Sequence, residues 1–225
     1  MCGNSCLNFI YTIMTNIKSS FKNANEAYTY LLDKIILEGV DFDDTKALFN
    51  VGFYIENPTD NSIRDLSRKW NPVYAMREWM WYLSGDPSAV EISKHAPIWK
   101  NMMDENGDVR SNYGWQWKRN DQIGKVIDLL KSNPNTRKAT ISIYDGKEID
   151  TYSNDTPCTY AVQFTILDGK LNMAVLMRSN DLWYGFCNDQ FCFSNLQADI
   201  AHILQIEIGT YYHFAHNLHL YNDKL

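Results

Sequence analysis

The sequence lacks any cluster of lysine and arginine, and its 225 residues carry a formal net charge of −6 at pH 7. Surfaces that bind nucleic acid directly are basic, so that class of function is disfavoured, whereas a single anionic nucleotide needs only local positive charge.

Long apolar runs are also missing. The stretch from Cys6 to Met14 is too short to span a bilayer and follows no basic residue, so we expect neither a membrane anchor nor a signal peptide. Met14 is a candidate alternative start.

Cysteine is scarce. The five cysteines are odd in number and have no metal-ligand spacing with the histidines: Cys2, Cys6, Cys158, Cys187 and Cys192. We therefore expect no metal centre. Reduced thiols indicate a cytoplasmic protein, in the host cytoplasm if the source is viral. The sequence also has no repeat, no low-complexity tract and no glycine-rich phosphate loop.

Aromatic residues are plentiful instead, with seven Trp, fourteen Tyr and ten Phe. Packing is the default use of an aromatic side chain, and some of these are expected to line a pocket for flat rings. Apolar residues make up 45% of the chain, which is ample for a core. Since no linker divides the chain, we predict a single domain over residues 1–225.

Hydrophobic spacing predicts helices and strands without regular alternation, which is typical of an α+β sheet domain. The predicted helices are Asn23–Leu37, Pro72–Leu83, Gln122–Ser132 and Asp189–Glu207. The predicted strands are Leu48–Ile55, Ala139–Tyr144, Thr159–Leu167, Lys170–Met177 and Tyr211–Phe214. Asp168 and Gly169 are a strong hairpin signal between two of these strands. The length and apolar face of the last helix predict a central, mostly buried helix.

The end of the predicted hairpin collects residues suited to covalent chemistry on a phosphorylated ligand. Arg178 and Ser179 offer a cation and a hydroxyl for a phosphate. Cys158 follows a proline and begins the other strand, so its sulfur is expected near Arg178. A neighbouring cation favours the nucleophilic thiolate. An inert buried thiol is the usual role of a lone cysteine.

Three carboxylates stand out. Asp181 and Asp189 lie in or beside the loop containing Gly185, where they could read a buried ligand by hydrogen bonds. Glu78 sits in an apolar stretch of a predicted helix, so it is either exposed or buried with a raised pKa. From the pattern alone, exposure is slightly favoured.

Two further groups have both an ordinary and a functional interpretation. Arg137 and Lys138 precede a predicted strand, where adjacent basic residues are usually solvated but could also reach a phosphate. Tyr113, Trp115 and Trp117 surround a glycine, and loop packing explains them about as well as ligand stacking.

A series of short segments in one order resembles the thymidylate synthase family, and within it the phage deoxycytidylate hydroxymethylases. The segments are Glu78–Asp86, Ile98–Trp99, Asp104–Asp108, Tyr113–Trp117, Asn133–Lys138, Pro157–Cys158, Arg178–Asp181 and His219–Tyr221. Together they span about two thirds of the chain. The resemblance implies the family's mixed sheet packed against helices and a homodimer with the active site at the subunit interface.

The resemblance also implies roles in nucleotide binding. Arg178 and Ser179 would hold the substrate phosphate, with Arg137 and Lys138 reaching it from the partner subunit. Two residues, His219 and Tyr221, would hold the sugar 3′-hydroxyl, and Tyr113 belongs to the same nucleotide site.

The remaining implied roles concern the chemistry. Cys158 would add to carbon 6 of the pyrimidine and make carbon 5 nucleophilic toward the one-carbon unit of 5,10-methylenetetrahydrofolate. Trp99, Asp181 and Gly185 would contact the folate. Glu78 would organise water and proton transfer.

Departures from the synthase pattern favour a one-carbon transferase acting on dCMP. Asp189 stands where the synthases have asparagine, and a carboxyl group suits cytosine rather than uracil. Thr159 replaces a usual histidine and Met177 a usual glutamine, as in the hydroxymethylases. We therefore predict that water, rather than hydride, completes the reaction, giving 5-hydroxymethyl-dCMP for viral nucleotide biosynthesis.

Alternatives remain open: CMP or dUMP as substrate, dCMP methylation, thymidylate synthesis, or a non-catalytic nucleotide-binding relative. Two departures bear on site closure. The segment Asn57–Asp60 lacks the arginine that the family uses to close on the phosphate, and the sequence has four residues after Tyr221. The site would close differently, or the folate pocket would be unusually open.

Overall fold

The computed structural model describes residues 17–147 and 155–225. Its helices are α1 (Ala24–Glu38), α2 (Pro72–Ser84), α3 (Ile98–Met102), α4 (Tyr113–Lys118), α5 (Gln122–Ser132) and α6 (Cys187–Leu204). Its strands are β1 (Ser20–Phe21), β2 (Val40–Phe42), β3 (Thr45–Ile55), β4 (Thr140–Ser142), β5 (Thr159–Leu167), β6 (Lys170–Met177), β7 (Asn180–Asp181) and β8 (Glu207–Tyr221). Cys2, Cys6 and Met14 lie outside the described residues.

One mixed sheet organises the fold, with strand order β1-β3-β8-β6-β5-β4. Strand β8 runs through its middle, antiparallel to β3 from Thr45↔Tyr221 to Ile55↔Tyr211 and parallel to β6. The short strands β2 and β7 pair with β3 and β8. The α+β prediction with a mixed sheet is confirmed.

Local signals explain where the helices begin and end. Asn23 caps α1 by accepting a hydrogen bond from the Glu26 backbone N–H. At the start of α2, the Asn71 side chain accepts from two backbone N–H groups and Pro72 occupies the first helical position. Helix α2 ends at Gly85, whose φ of 70° is the left-handed conformation that glycine adopts without strain.

The hairpin β5–β6 forms as predicted, since Asp168 and Gly169 both adopt positive φ, at 50° and 73°. This is the backbone of a tight two-residue turn. Its register pairs Thr159 with Met177, which brings the two ends of the hairpin together. The turn sets the register as far as Ala161↔Leu176, and a register shift between Ala161 and Thr159 sets which residues meet at the opposite end of the ribbon.

Helix α6 is the predicted long buried helix, with shifted limits. It begins at Cys187 after a π-helical turn, and it stops at Leu204 because Gln205 adopts a left-handed conformation with φ of 57°. Its buried side chains include polar residues. The amide nitrogen of Gln197, for example, donates to the carbonyls of Leu171 and Thr210, which satisfies two N–H donors that would otherwise destabilise the core.

Besides β3, which begins at Thr45 rather than at the predicted Leu48, two strand predictions had wrong lengths. The strand predicted over Tyr211–Phe214 is the centre of β8. This strand continues to Tyr221 because β3 pairs with it from Tyr211 to Tyr221. Conversely, the strand predicted over Ala139–Tyr144 is paired only at Thr140–Ser142, opposite β5. Tertiary pairing, rather than residue preference, sets both limits.

Among the described residues, none of the helices combines the length and apolarity needed to cross a bilayer. Within residues 17–147 and 155–225, no three His, Cys, Asp or Glu side chains are grouped so that they could hold a metal ion.

Candidate active site

The two ends of the β5–β6 hairpin bring Cys158 and Arg178 together. The Arg178 backbone N–H donates to the Cys158 carbonyl at 2.7 Å. The guanidinium Nη2 lies 3.8 Å from the Cys158 sulfur. The contact between this cysteine and this arginine, expected from the sequence, is therefore present.

In the free protein, the Arg178 charge does not suffice to favour the thiolate of Cys158 over the thiol. Burial raises the pKa of the Cys158 thiol to about 12, although the Arg178 charge acts in the opposite direction. The negative charges of Asp189 and Asp155 add to the effect of burial. The Arg178 charge acts in the predicted direction, but desolvation by burial outweighs it.

Arg178 also holds the loop that precedes the cysteine. Its Nε donates to the Pro157 carbonyl at 3.0 Å, and its Nη2 donates to the Thr156 carbonyl at 2.8 Å. Ser179 follows in the chain and is partly buried. The arginine thus positions the segment that carries the sulfur, and it presents fixed positive charge beside it.

Glu78 is buried, with 4% of its surface exposed, so the interpretation that favoured exposure is wrong. Ala75, Trp79 and Tyr82 share the buried face of α2 with it. The Tyr82 hydroxyl donates to Glu78 Oε1 at 3.1 Å. Burial raises the pKa of Glu78 to about 7, while hydrogen bonds from two tyrosine hydroxyls oppose the shift. A carboxyl with this pKa can exchange a proton near neutral pH.

Asp189 lies in the first turn of α6 and is also buried, with 8% of its surface exposed. Its Oδ2 accepts a hydrogen bond from the Asn180 amide at 2.8 Å. Burial raises the pKa of Asp189 well above its usual range, and the negative charge of Glu78 adds to this. The neutral carboxylic acid, which can donate a hydrogen bond, is therefore favoured.

Asp181 caps the π-helical turn that leads into α6. Its Oδ1 accepts from the Trp183 N–H, and its Oδ2 accepts from the N–H groups of Tyr184 and Gly185, at 3.0, 2.7 and 3.3 Å. A carboxylate has about four acceptor positions, so Oδ1 retains one for a ligand. Burial raises the pKa of Asp181, although these backbone hydrogen bonds oppose it.

His219 and Tyr221 lie at the end of β8, and the β7–β8 register sets His219 opposite Asp181. His219 is buried, and its Nδ1 is 3.0 Å from the Asn217 side-chain oxygen. Burial lowers its pKa, whereas the negative charge of Asp181 raises it. Tyr221 is 38% exposed. The pair therefore stands at the edge of the same site.

Two of the predicted aromatic residues approach the buried carboxyls. Tyr113 opens α4, is 7% exposed, and packs 5.7 Å from the Tyr82 ring. Trp99 donates from Nε1 to the Tyr74 hydroxyl at 2.8 Å, and Tyr74 in turn hydrogen-bonds Glu78. Trp99 is thereby linked to Glu78 through one tyrosine.

Arg137 and Lys138 do not join this group within one chain. Both are exposed, on the loop before β4. Thr140 pairs with Gln163, and the two strands are antiparallel. Arg137 therefore lies near the end of β5 that is opposite to Cys158. At 3.3 Å per residue, that separation is roughly 25 Å.

Sequence reasoning missed three residues that shape the site. Tyr74 lies one helical turn before Glu78, a spacing that could have indicated the contact. Asn180 and Asp181 are neighbours in a strand, so their side chains point to opposite faces. This alternation could have placed the Asn180 side chain toward the interior. Arg68 follows the arginine-free segment Asn57–Asp60, and its Nε donates to the Trp183 carbonyl at 2.5 Å.

Comparison with known proteins gives consistent results. The family model described as thymidylate synthase matches residues 26–225. A thymidylate synthase of Clostridium beijerinckii is 29% identical over 153 residues, which cover 67% of this chain and 58% of that protein. The chain thus matches less than two thirds of that relative's length. The solved structure of the thermostable thymidylate synthase A from Bacillus subtilis superposes with a TM-score of 0.75, at 24% identity, over 88% of this chain and 80% of that one.

Proposed function

This chain belongs to the thymidylate synthase family, and from that premise we propose that it acts on dCMP. The reaction would transfer a one-carbon unit from 5,10-methylenetetrahydrofolate to carbon 5 and add water, giving 5-hydroxymethyl-dCMP. The observation that carries this proposal is Asp189, a buried carboxyl whose raised pKa favours the neutral acid.

A neutral Asp189 suits cytosine when its proton lies on the oxygen that faces ring nitrogen 3. Cytosine presents an acceptor at ring nitrogen 3 and a donor amine, so a carboxylic acid can donate to the first and accept from the second. Uracil presents the reverse pattern. A mismatched buried pair costs about 1–3 kcal/mol for each unsatisfied group, which is enough to set base preference.

Cys158 would form the covalent adduct. Its thiol gives up a proton and its sulfur bonds to carbon 6, so the electron pair of the carbon 5–carbon 6 double bond becomes available at carbon 5. Arg178, at 3.8 Å from the sulfur, favours the thiolate through its positive charge. After transfer, loss of the proton from carbon 5 would release tetrahydrofolate and leave an exocyclic methylene group on the ring. Once water has added to that carbon, release of the sulfur from carbon 6 would restore the aromatic ring.

The folate supplies the one-carbon unit when it is bound. The residues assigned to it fit this group, because Asp181 Oδ1 retains an acceptor position for the N–H groups of a pterin. Gly185 leaves the loop without a side chain beside this carboxylate. Trp99 offers a flat surface close to the Tyr74–Glu78 contact.

Glu78 would select water over hydride. With a pKa of about 7, it can accept a proton from a water molecule as the oxygen bonds to the exocyclic methylene carbon. The product is then a hydroxymethyl group, and the proton resides on Glu78 until it exchanges with solvent.

We further propose a cytoplasmic homodimer. Arg137 and Lys138 lie too far from Cys158 to serve their own site, so they would contact the phosphate bound by the partner subunit, as the family resemblance implies. The thiols of Cys158, Cys187 and Cys192 are free, which fits a reducing cytoplasm.

The test is the mass of the product after incubation with 5,10-methylenetetrahydrofolate and dCMP, CMP or dUMP separately. Gain of CH₂O on dCMP alone is expected, and Cys158→Ala should abolish it. Gain of CH₂ would mean that hydride transfer completes the reaction. Product from dUMP alone would refute the role of Asp189, and no product from any nucleotide would leave only a binding function.

Base preference has its own test in Asp189→Asn. An asparagine amide accepts from the uracil ring N–H and donates to its carbonyl, so preference should move from dCMP toward dUMP. The ratio of kcat/KM for the two nucleotides measures this. An unchanged ratio would show that another residue reads the base.

A further inference from the structure

Asn180 lies directly beside the carboxyl that reads the base. It is 2% exposed, its backbone is paired with Leu218 of β8, and its Nδ2 donates to Asp189 Oδ2 at 2.8 Å. Its Oδ1 is buried and has no hydrogen-bond partner among the described residues. The backbone of Asn180 is therefore held by β8, and its side-chain amide nitrogen is directed toward Asp189.

Gly185 closes over the same contact. A Cβ atom on Gly185 would lie 2.9 Å from Asn180 Nδ2 and 3.2 Å from Asp189 Oδ2. Contacts this short require the neighbours to move. The loop thus brings its backbone against the Asn180–Asp189 hydrogen bond and leaves Oδ2 little freedom to rotate away.

A neutral carboxylic acid does not by itself distinguish cytosine from uracil. With the proton on the oxygen that faces ring nitrogen 3, the group matches cytosine. When the proton is on the other oxygen, the same group accepts from the uracil ring N–H and donates to the uracil carbonyl. Selectivity therefore needs something that decides which oxygen carries the proton.

We propose that Asn180 is the positioning residue that makes this decision, by donating to Oδ2 and so placing the proton on Oδ1 of Asp189. This inference rests on the proposed function. An amide N–H donates better to the carbonyl oxygen of an acid than to its hydroxyl oxygen, so the proton is directed to Oδ1. That oxygen then donates to ring nitrogen 3, and Oδ2 accepts from the cytosine amine.

The consequence is a specificity change that simple loss of packing would not produce. Without the Asn180 amide, the proton distributes between both oxygens, so binding of dCMP weakens while binding of dUMP improves. One hydrogen bond in a buried site corresponds to about a tenfold change in an equilibrium. We therefore expect the ratio of kcat/KM for dCMP over dUMP to fall by at least about tenfold.

The experiment measures kcat/KM for dCMP and dUMP in Asn180→Leu, which has a similar shape without the amide, and in the smaller Asn180→Ala. Gln197→Leu is the matched control. It also removes a buried amide from the interior, but that amide donates to Leu171 and Thr210 carbonyls, about 12 Å along α6 from Asp189. The control should leave the ratio unchanged.

A double variant tests whether Asn180 acts through Asp189. In an Asp189→Asn background, Asn180→Leu should not change the nucleotide ratio further. If the native protein converts dCMP but both Asn180 variants keep its ratio, this inference is overturned and the proposed function stands. If the native protein yields no product from dCMP, the proposed function itself fails.

Discussion

Replacing Glu78 by glutamine is expected to stabilise the protein at neutral and higher pH while removing the proposed proton acceptor. Glu78 is 4% exposed, and its folded pKa is about 7, compared with 4.5 for the free side chain. Glutamine has nearly the same shape and keeps a carbonyl oxygen to accept from Tyr82. The substitution therefore changes charge with little change in packing.

The pKa difference sets the direction and size of the effect. Between pH 4.5 and 7 the folded protein retains a proton on Glu78 that the unfolded chain releases, so the free energy of unfolding decreases as pH rises. The folded and free pKa values differ by about 2.5, which corresponds to roughly 3 kcal/mol in the free energy of unfolding. This contribution is fully lost above pH 7. Glutamine carries no such proton. The free energy of unfolding of Glu78→Gln, relative to that of the native protein, should therefore grow by about this amount from pH 4.5 to pH 8.

Urea unfolding followed by tryptophan fluorescence, at one protein concentration and at several pH values, measures this difference. The exposed Glu105 supplies a matched control, since Glu105→Gln removes a carboxylate that the fold does not bury. A difference between Glu78→Gln and the native protein that does not vary with pH would refute the reasoning. Formation of the hydroxymethyl product should also fall at least about 100-fold in Glu78→Gln.

Three further predictions concern the rest of the site. Cys158 should react slowly with iodoacetamide at pH 7 and faster as pH rises, since its pKa is about 12; mass spectrometry of its peptide would show this, and fast alkylation at pH 7 would contradict it. Arg178→Lys should raise KM for dCMP by about tenfold or more, because a lysine cannot reproduce a bidentate phosphate contact; an unchanged KM would place the phosphate elsewhere. Gly185→Ala should reduce dCMP turnover and destabilise the protein by about 1–3 kcal/mol, because its Cβ would displace Asn180; thermal unfolding and initial rates would test both effects.

Much of the site could be predicted because it depends on local pairing. The Asp168–Gly169 turn is a two-residue connection whose geometry is specified by its own residues. Once that turn forms, it sets the register of β5 and β6 as far as Ala161, and a register shift between Ala161 and Thr159 then places Cys158 beside Arg178. The start of α2 was equally clear, since Asn71 and Pro72 are neighbours in the chain.

Burial of charged groups was decided by tertiary structure. Helix α2 carries large apolar residues on several faces, and both Met76 and Met80 are exposed while Glu78 is buried. Periodicity therefore could not tell which face packs against the core. The high pKa of Cys158 has the same origin, because it depends on how much water the assembled fold excludes.

The sequence by itself determined the order of the elements, the turn of the hairpin, and the residue types available for chemistry. Only the tertiary structure decided that β8 runs for 15 residues and lies beside β3 from Tyr211 to Tyr221, and that Asn180 donates to Asp189. The physical reason is distance along the chain. Local preferences act between neighbours, whereas contacts such as that of Arg68 with Trp183 join residues far apart in sequence and form only when the whole core closes.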